Sequence, residues 1–550
     1  MTQEEALLLL WDFCDNPYHL LPILYEPSTR SSIANFYAQL ENGQEGDPTV
    51  AALILSIAST CASFSSHSRH SMFGSIEEAD QASTAWRENA LTILDDTQFS
   101  TPGSLERCQA RTIITYVVSN VEGCSVRYRY LHSCTVAVAR DMSLHLIDSP
   151  VATDKSDDML TKEIKRRLWW HLASTDWLLS LVGGPLDGTY SVQPRHFVVK
   201  RPRNINDSDL GQDETFTYPP HVLTRMAYFL QRIRLSEICR EMADSRSPGF
   251  LGVDITDFDT VSSLDRLFEK ALAEMPLPLQ RGAPIPPGAP SHLIQQRDLI
   301  LICFNFRRAR LHRPFLLHDT DNPLHEASRR QCLASARTVL SMSSKMLEEP
   351  TPAVDPGHDF GHPLAYRAGL VISGMFTACV ILALNAGLIW SRTKGDADRC
   401  SEAAKLHSEI TDACRILAKA GEKSVFAANL VRNLVRTPCI TLTPLRSPLH
   451  IRCPCANAWL KVGVLKQYSI KDIDHIVASS TNTGLNPKNF AGSSDDAISA
   501  YAARDRAQSF SDMVNATDDF TMWNGFFTNI PEMEEYDQLF AGLDYYCGPT

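Results

Sequence analysis

Fifteen cysteines are scattered along this chain of 550 residues, yet no two stand in a Cys-x-x-Cys spacing. Structural zinc sites draw their ligands from such close pairs, so the sequence has no recognisable zinc cluster; Cys453-Pro454-Cys455 is one residue too tight. Scattered cysteines of odd number fit reduced thiols in an intracellular compartment. There is no phosphate-cradling P-loop, no G-x-G-x-x-G, no G-x-S-x-G and no H-E-x-x-H, which leaves nucleotide, hydride-transfer, serine-hydrolase and zinc-protease chemistry without sequence support. Segments that alternate with period two are scarce, and Phe197-Val198-Val199 is too brief to make a strand. A secretory leader is not expected, since Glu4 and Glu5 stand where a basic region belongs and Ala6–Leu10 is a short apolar core. Basic residues are absent from Ala507 to Thr550, where eight Asp and Glu contribute −8 of the formal −12. An acidic chain argues against broad electrostatic binding to nucleic acid.

What is present is a large helical core. A hydrophobic content of 44% with 21% charged residues suits a globular protein with an extensive interior. Helical periods recur over Glu4–Phe13, Pro27–Leu40, Pro48–Ser65, Ile76–Asp95, Leu105–Ser119, Cys124–Leu146, Val222–Ala243, Val261–Leu272, Ile294–His312, Glu326–Glu348, Pro363–Trp390 and Lys405–Val435. Arg203–Pro220 reads as a polar loop and the proline-rich Met275–Pro290 as a non-helical connection. Ala368–Trp390 is uncharged and of bilayer length, but Ser373, Thr377 and Asn385 dilute it. It reads as a central core helix, so no membrane is expected. The fold class expected is all-α, a large multi-helix domain with a disordered acidic C-terminal tail.

The most patterned segment is Thr161–Leu210. Thr161 is the expected N-cap, with Glu163 in the first turn. Ile164, Leu168, Leu172, Thr175 and Leu179 recur at three- and four-residue spacing beside a stripe of Trp170, Ala173 and Trp177, giving a face wide enough for more than one neighbour. Asp176 falls beside that face and needs a partner if buried, either Arg166 or Arg167 or a cation on another helix. Gly183-Gly184-Pro185 ends the helix. A basic, proline-punctuated tail follows, in which Lys200-Arg201-Pro202-Arg203 reads as a solvated loop or, less simply, as a nuclear import signal.

This segment resembles the fungal transcription factor regulatory domain, the middle homology region that usually follows a zinc-cluster DNA-binding module. The matching residues are Glu163, Arg166, Arg167, Trp169, Trp170, Asp176, Gly183, Pro185, Pro202, Asn204 and Asp207, while Gly184 stands where the family has arginine. Weaker matches are Ala137–Leu146 and Leu311–Leu316, LHRPFL. The resemblance implies a nuclear transcriptional regulator, possible control of a metabolic or secondary-metabolite gene set, and no cofactor, catalytic residue or resident metal. Without its own recognisable DNA-binding module, the expected partners are a DNA-bound transcription factor or coactivator proteins. DNA itself is a partner only if a zinc cluster lies in a missing upstream exon. A small-molecule effector held between helices is a further expectation, with no pocket located by the sequence. The alternative is a non-transcriptional helical scaffold or enzyme that retains the fold.

The domain division follows composition. Residues 1–436 form the regulatory domain. Residues 437–510 form an irregular insertion and linker, in which Thr437–Cys455 reads either as disordered or as a translated intron. Residues 511–550 form an acidic-aromatic segment. In it Phe520, Trp523, Phe526, Phe527, Leu539 and Phe540 sit among acids, the composition of an activation segment that docks aromatics into a coactivator groove. His67-x-x-His70 and the His358/His362 pair read as loop histidines without enough further ligands for a metal.

Overall fold

The computed structural model describes residues 1–64, 72–98, 103–150, 157–182, 186–246, 254–290, 292–316, 322–348, 368–392 and 397–422, with 424, 426–428 and 430. Gly183-Gly184-Pro185, both histidine pairs and everything from 431 onward, including the acidic-aromatic segment, lie outside them. Among the described residues the chain is all-α, with no strand.

Thirteen α-helices are described: α1 Gln3–Asp15, α2 Glu26–Glu41, α3 Pro48–Ser63, α4 Ile76–Asp96, α5 Leu105–Glu122, α6 Val126–Asp141, α7 Met159–Leu179, α8 Ala227–Asp244, α9 Phe258–Ala273, α10 Leu293–His312, α11 Pro323–Glu348, α12 Gly369–Arg392 and α13 Ala397–Gly421. Their starts follow side-chain capping. Thr2 and Glu5 close a reciprocal capping box on α1. Asp47, Ser75, Ser104, Ser125 and Asp257 accept backbone N–H groups at the heads of α3, α4, α5, α6 and α9.

Several expected boundaries move, and the helix expected from Val222 starts only at Ala227. The cap of α7 is Asp158, whose carboxylate accepts the Thr161 N–H at 2.7 Å. Thr161 is therefore inside the first turn. The helix expected over Cys124–Leu146 stops at Asp141, because Ser143 adopts a left-handed φ of 56° and the chain re-enters as a single 3-10 turn at Leu144–Leu146. The helix expected over Lys405–Val435 breaks after Gly421, with helical residues again at 426–428 and 430, and its expected end at 431–435 lies outside the described residues.

Two large apolar cores organise these helices, with a smaller cluster around Leu91, Val118 and Leu131 beside them. One gathers α1, α3, α5, α6 and α7 around Phe13, Leu53, Ile113, Trp169 and Trp177. The other gathers α9 to α13 around Phe268, Phe304, Met375 and Leu417. Helix α8 belongs to both, since Phe229 and Ile233 enter the first while Tyr228 and Leu235 enter the second. The stretch Gly369–Ala386 of α12 is long and apolar enough to cross a membrane, but 83% of it is buried inside the fold. It packs on α10, α11 and α13 and also touches α5. That last approach requires glycine: a Cβ on Gly369 would stand 2.9 Å from the Ser119 carbonyl oxygen.

Candidate functional site

Helix α7 is buried on almost every side. Glu163, Arg166, Arg167, Trp169, Trp170 and Asp176 are all interior, beyond the apolar stripe alone. Buried charges persist only when paired, and the pairing partners come from the tail that follows. Glu163 accepts the Arg203 backbone N–H at 3.1 Å and lies 3.4 Å from both the Arg203 and Arg167 Nε atoms. Arg167 reaches Asp207 at 2.8 Å, and Asp207 also accepts the Tyr18 hydroxyl from the N-terminal region at 2.5 Å. Arg166 grips Asp148 through two nitrogens and also bonds Glu214. Against the cost of burial, Arg166 and the Lys200 N–H hold the Asp148 carboxyl below its usual range.

The tryptophans tie the same tail. Trp170 Nε1 donates to the Lys200 carbonyl at 2.9 Å and Trp177 Nε1 to the Val192 carbonyl at 2.8 Å. Phe197 sits edge-on to Trp169 and Trp170, with centroids 5.5 and 5.7 Å away. Asp176 has neither of the partners expected for it. Its carboxylate takes the backbone N–H groups of Ser191 and Val192 at 2.8 and 2.7 Å, plus the Ser191 hydroxyl at 2.9 Å. Asn204 accepts the Thr224 hydroxyl at 2.6 Å and donates to the Pro219 and Val222 carbonyls at 2.9 and 3.1 Å. Pro202, Arg203, Asn204 and Ile205 are buried. The segment read as a polar loop thus starts as an interior strap. Of its basic run, Lys200 and Arg201 are exposed and Arg203 is not.

Further along, the arginine of LHRPFL takes its place in a second buried network. Arg313 bonds Asp254 at 2.7 Å, and Arg246 and Arg310 bond Asp187 at 3.0 and 2.9 Å. All five groups are interior.

Between the two cores lies a cavity of about 250 Å³. Its wall is contributed by α5, α6, α7, α8, α10 and α12. It is mostly apolar, but Arg232 and Arg307 line it together with His132, His171, Tyr116 and Tyr228. Burial, with a further contribution from Arg232, holds His171 well below its usual value. Burial also pulls His132 down to about 4, so both are neutral at neutral pH. Burial pushes Tyr116 up to about 12. Among the described residues no cluster of three or more His, Cys, Asp or Glu could hold a metal. The sequence reading did not identify these cavity residues. A signal was there: Arg307 is four residues after Cys303 and eight after Leu299, and Arg232 falls between Tyr228 and Leu235. A cation on an apolar helical face marks an interior charge.

Among the described residues the fold is all-α, as expected. The sequence profile of the fungal specific transcription factor domain matches residues 7–245. Probable transcription factor lepB of Aspergillus flavus is 32% identical over 447 residues, covering 79% of this chain and 76% of that protein. The chain belongs to the fungal transcription factor family. Within the family, Transcription factor TAS2 of Pyricularia oryzae is 41% identical over 457 residues, covering 78% of this chain and 59% of TAS2. The Agnestins biosynthesis cluster transcription factor AgnL11 of Paecilomyces divaricatus is 27% identical over 432 residues, 78% of this chain and 60% of AgnL11. The chain therefore spans about three fifths of the length of two of these family members.

Proposed function

We propose that the chain is a nuclear transcriptional regulator of a secondary-metabolite gene set. The observation that carries this reading is family membership together with the intact interior of the motif: every described motif residue with a polar side chain but Trp169 has a partner within the α7 assembly. The name of AgnL11, a biosynthesis cluster transcription factor, supports the gene class. Membership in a family of transcription factors favours a non-enzymatic role. The helical domain provides the regulated body, and residues 511–550 provide activation through Phe520, Trp523, Phe526, Phe527, Leu539 and Phe540. DNA is reached through a DNA-bound partner or through a zinc cluster beyond these 550 residues, as no Cys-x-x-Cys occurs within them.

Two linked assays test this. Residues 510–550 fused to a heterologous DNA-binding module should activate a reporter, and alanine at Phe526 and Phe527 should abolish activation. The whole chain, fluorescently tagged, should accumulate in the nucleus. A silent fusion with a cytoplasmic whole protein would refute the reading.

A further inference from the structure

Two arginines, Arg307 buried and Arg232 partly buried, distinguish the central cavity from the charge networks around it. Arg307 is 5% exposed, and its Nε and Nη1 atoms have no hydrogen-bond partner among the described residues. Its contacts are the Phe306 ring, 5.2 Å to the centroid, and the Cys239 thiol. Arg232 stands in the same wall and donates to the hydroxyls of Ser174 and Thr175, the latter at 2.6 Å. Among the described residues no Asp or Glu lines the cavity. Elsewhere in the interior, Arg166, Arg167, Arg246, Arg310 and Arg313 each meet a carboxylate within 3.0 Å. Arg232 and Arg307 meet none among the described residues. An uncompensated buried charge is costly and persists where function needs it.

We propose that this cavity binds a small organic anion, a carboxylate on a compact aromatic or alicyclic body. The two guanidinium groups receive the anionic head with charge-assisted hydrogen bonds. Leu172, Leu179, Leu299 and Phe306 contact the apolar body. His132 and His171, whose Nε2 and Nδ1 atoms have no hydrogen-bond partner among the described residues, belong to the same wall as neutral rings. Burial, reinforced by the charge of Arg307, holds Arg232 below its usual pKa, and an anion between them relieves that repulsion. The volume of about 250 Å³ is below the range of roughly 300–1,000 Å³ usual for drug-sized ligands, so the occupant is compact. Cations are repelled, and a neutral molecule leaves both arginines uncompensated. The site joins α5, α6 and α7 of one core to α10 and α12 of the other, so the ligand links the two cores. The inference concerns binding alone and stands whether or not the chain regulates transcription.

The test uses the full chain and four probes, benzoate, salicylate, 2-naphthoate and indole-3-acetate, each compared with its neutral carboxamide. Melting temperature and calorimetric titration are the readouts. At least one acid should raise the melting temperature, bind one to one, and bind about tenfold or more tightly than its amide. Arg307→Gln should remove that acid-over-amide preference, as should Arg232→Gln. The inference is overturned if no acid raises the melting temperature, if amides bind as well as acids, or if both variants keep the preference. The acid-amide comparison on the unaltered chain decides the matter even where a variant fails to fold.

Discussion

Glu163 and Arg203 are forty residues apart in sequence and bonded twice in the interior, through the Arg203 backbone N–H and through its guanidinium. This pair fixes the tail of the motif against α7 at a point where both side chains are nearly sealed from water. Replacing Glu163 by alanine leaves Arg203 and Arg167 facing each other without their shared carboxylate. Breaking one side of a buried ion pair costs about 3–5 kcal/mol. Glu163→Ala should therefore lower denaturant resistance by that amount or prevent soluble expression. A variant with unchanged unfolding midpoint would remove Glu163 from the framework.

The tryptophans should behave as packing residues. Trp170 is 6% exposed and ties its indole N–H to Lys200. Trp170→Ala should cost about 3–5 kcal/mol, whereas Trp170→Phe should lose mainly the hydrogen bond, about 1 kcal/mol. The ordering of the two variants in chemical denaturation is the measurement. Equal, small effects would mean that the ring faces a partner instead of the interior.

Asp176 offers a local test. Its carboxylate holds the N–H groups of Ser191 and Val192. Asn at this position keeps the shape and one oxygen for those two N–H groups, but it loses the negative charge they bond to and sets an NH2 group against the Ser191 hydroxyl. Asp176→Asn should cost about 1–3 kcal/mol and expose the segment around Ser191 to protease earlier than the rest of the chain. Limited proteolysis with site mapping reads this out, and an unaltered digestion pattern would contradict it.

How far these contacts were legible depended on whether the partner was local. The helix positions of Trp170, Ala173 and Trp177 followed from spacing, because a period of 3.6 is written in consecutive residues. The need of Asp176 for a partner was legible, but its identity was not. A backbone turn at Ser191 leaves no charge signature, so Arg166 and Arg167 stood as the nearest candidates. Arg203 read as a solvated base for the same reason, its carboxylate lying forty residues earlier on another element. Asp158 displaced Thr161 as the cap because both residue types cap well and only geometry separates them. The cavity required six helices to meet, and periodicity on any one of them does not locate that meeting.

Acid should unfold the protein well before its carboxylates titrate. Burial lowers His132 and His292 to about 4, and His19 and His171 lie well below the usual value. In the unfolded chain such groups titrate near 6.5. Unfolding therefore takes up protons between about pH 6.5 and 4, and stability is full above that window and falls as the pH drops through it. Each histidine contributes up to about 1.4 kcal/mol per pH unit. Melting temperature should be flat from pH 8 to 7 and fall steadily from 6.5 to 5, with His132→Gln reducing the slope. A flat profile down to pH 5 would contradict the burial of these rings.

The proposal that the chain regulates transcription is tested most directly by transcript profiling of a fungal strain lacking it, against its parent and a complemented strain. The account predicts reduced transcripts for a limited set of biosynthetic genes, restored on complementation. An unchanged transcript profile, under conditions where the protein is present in the parent, would contradict it.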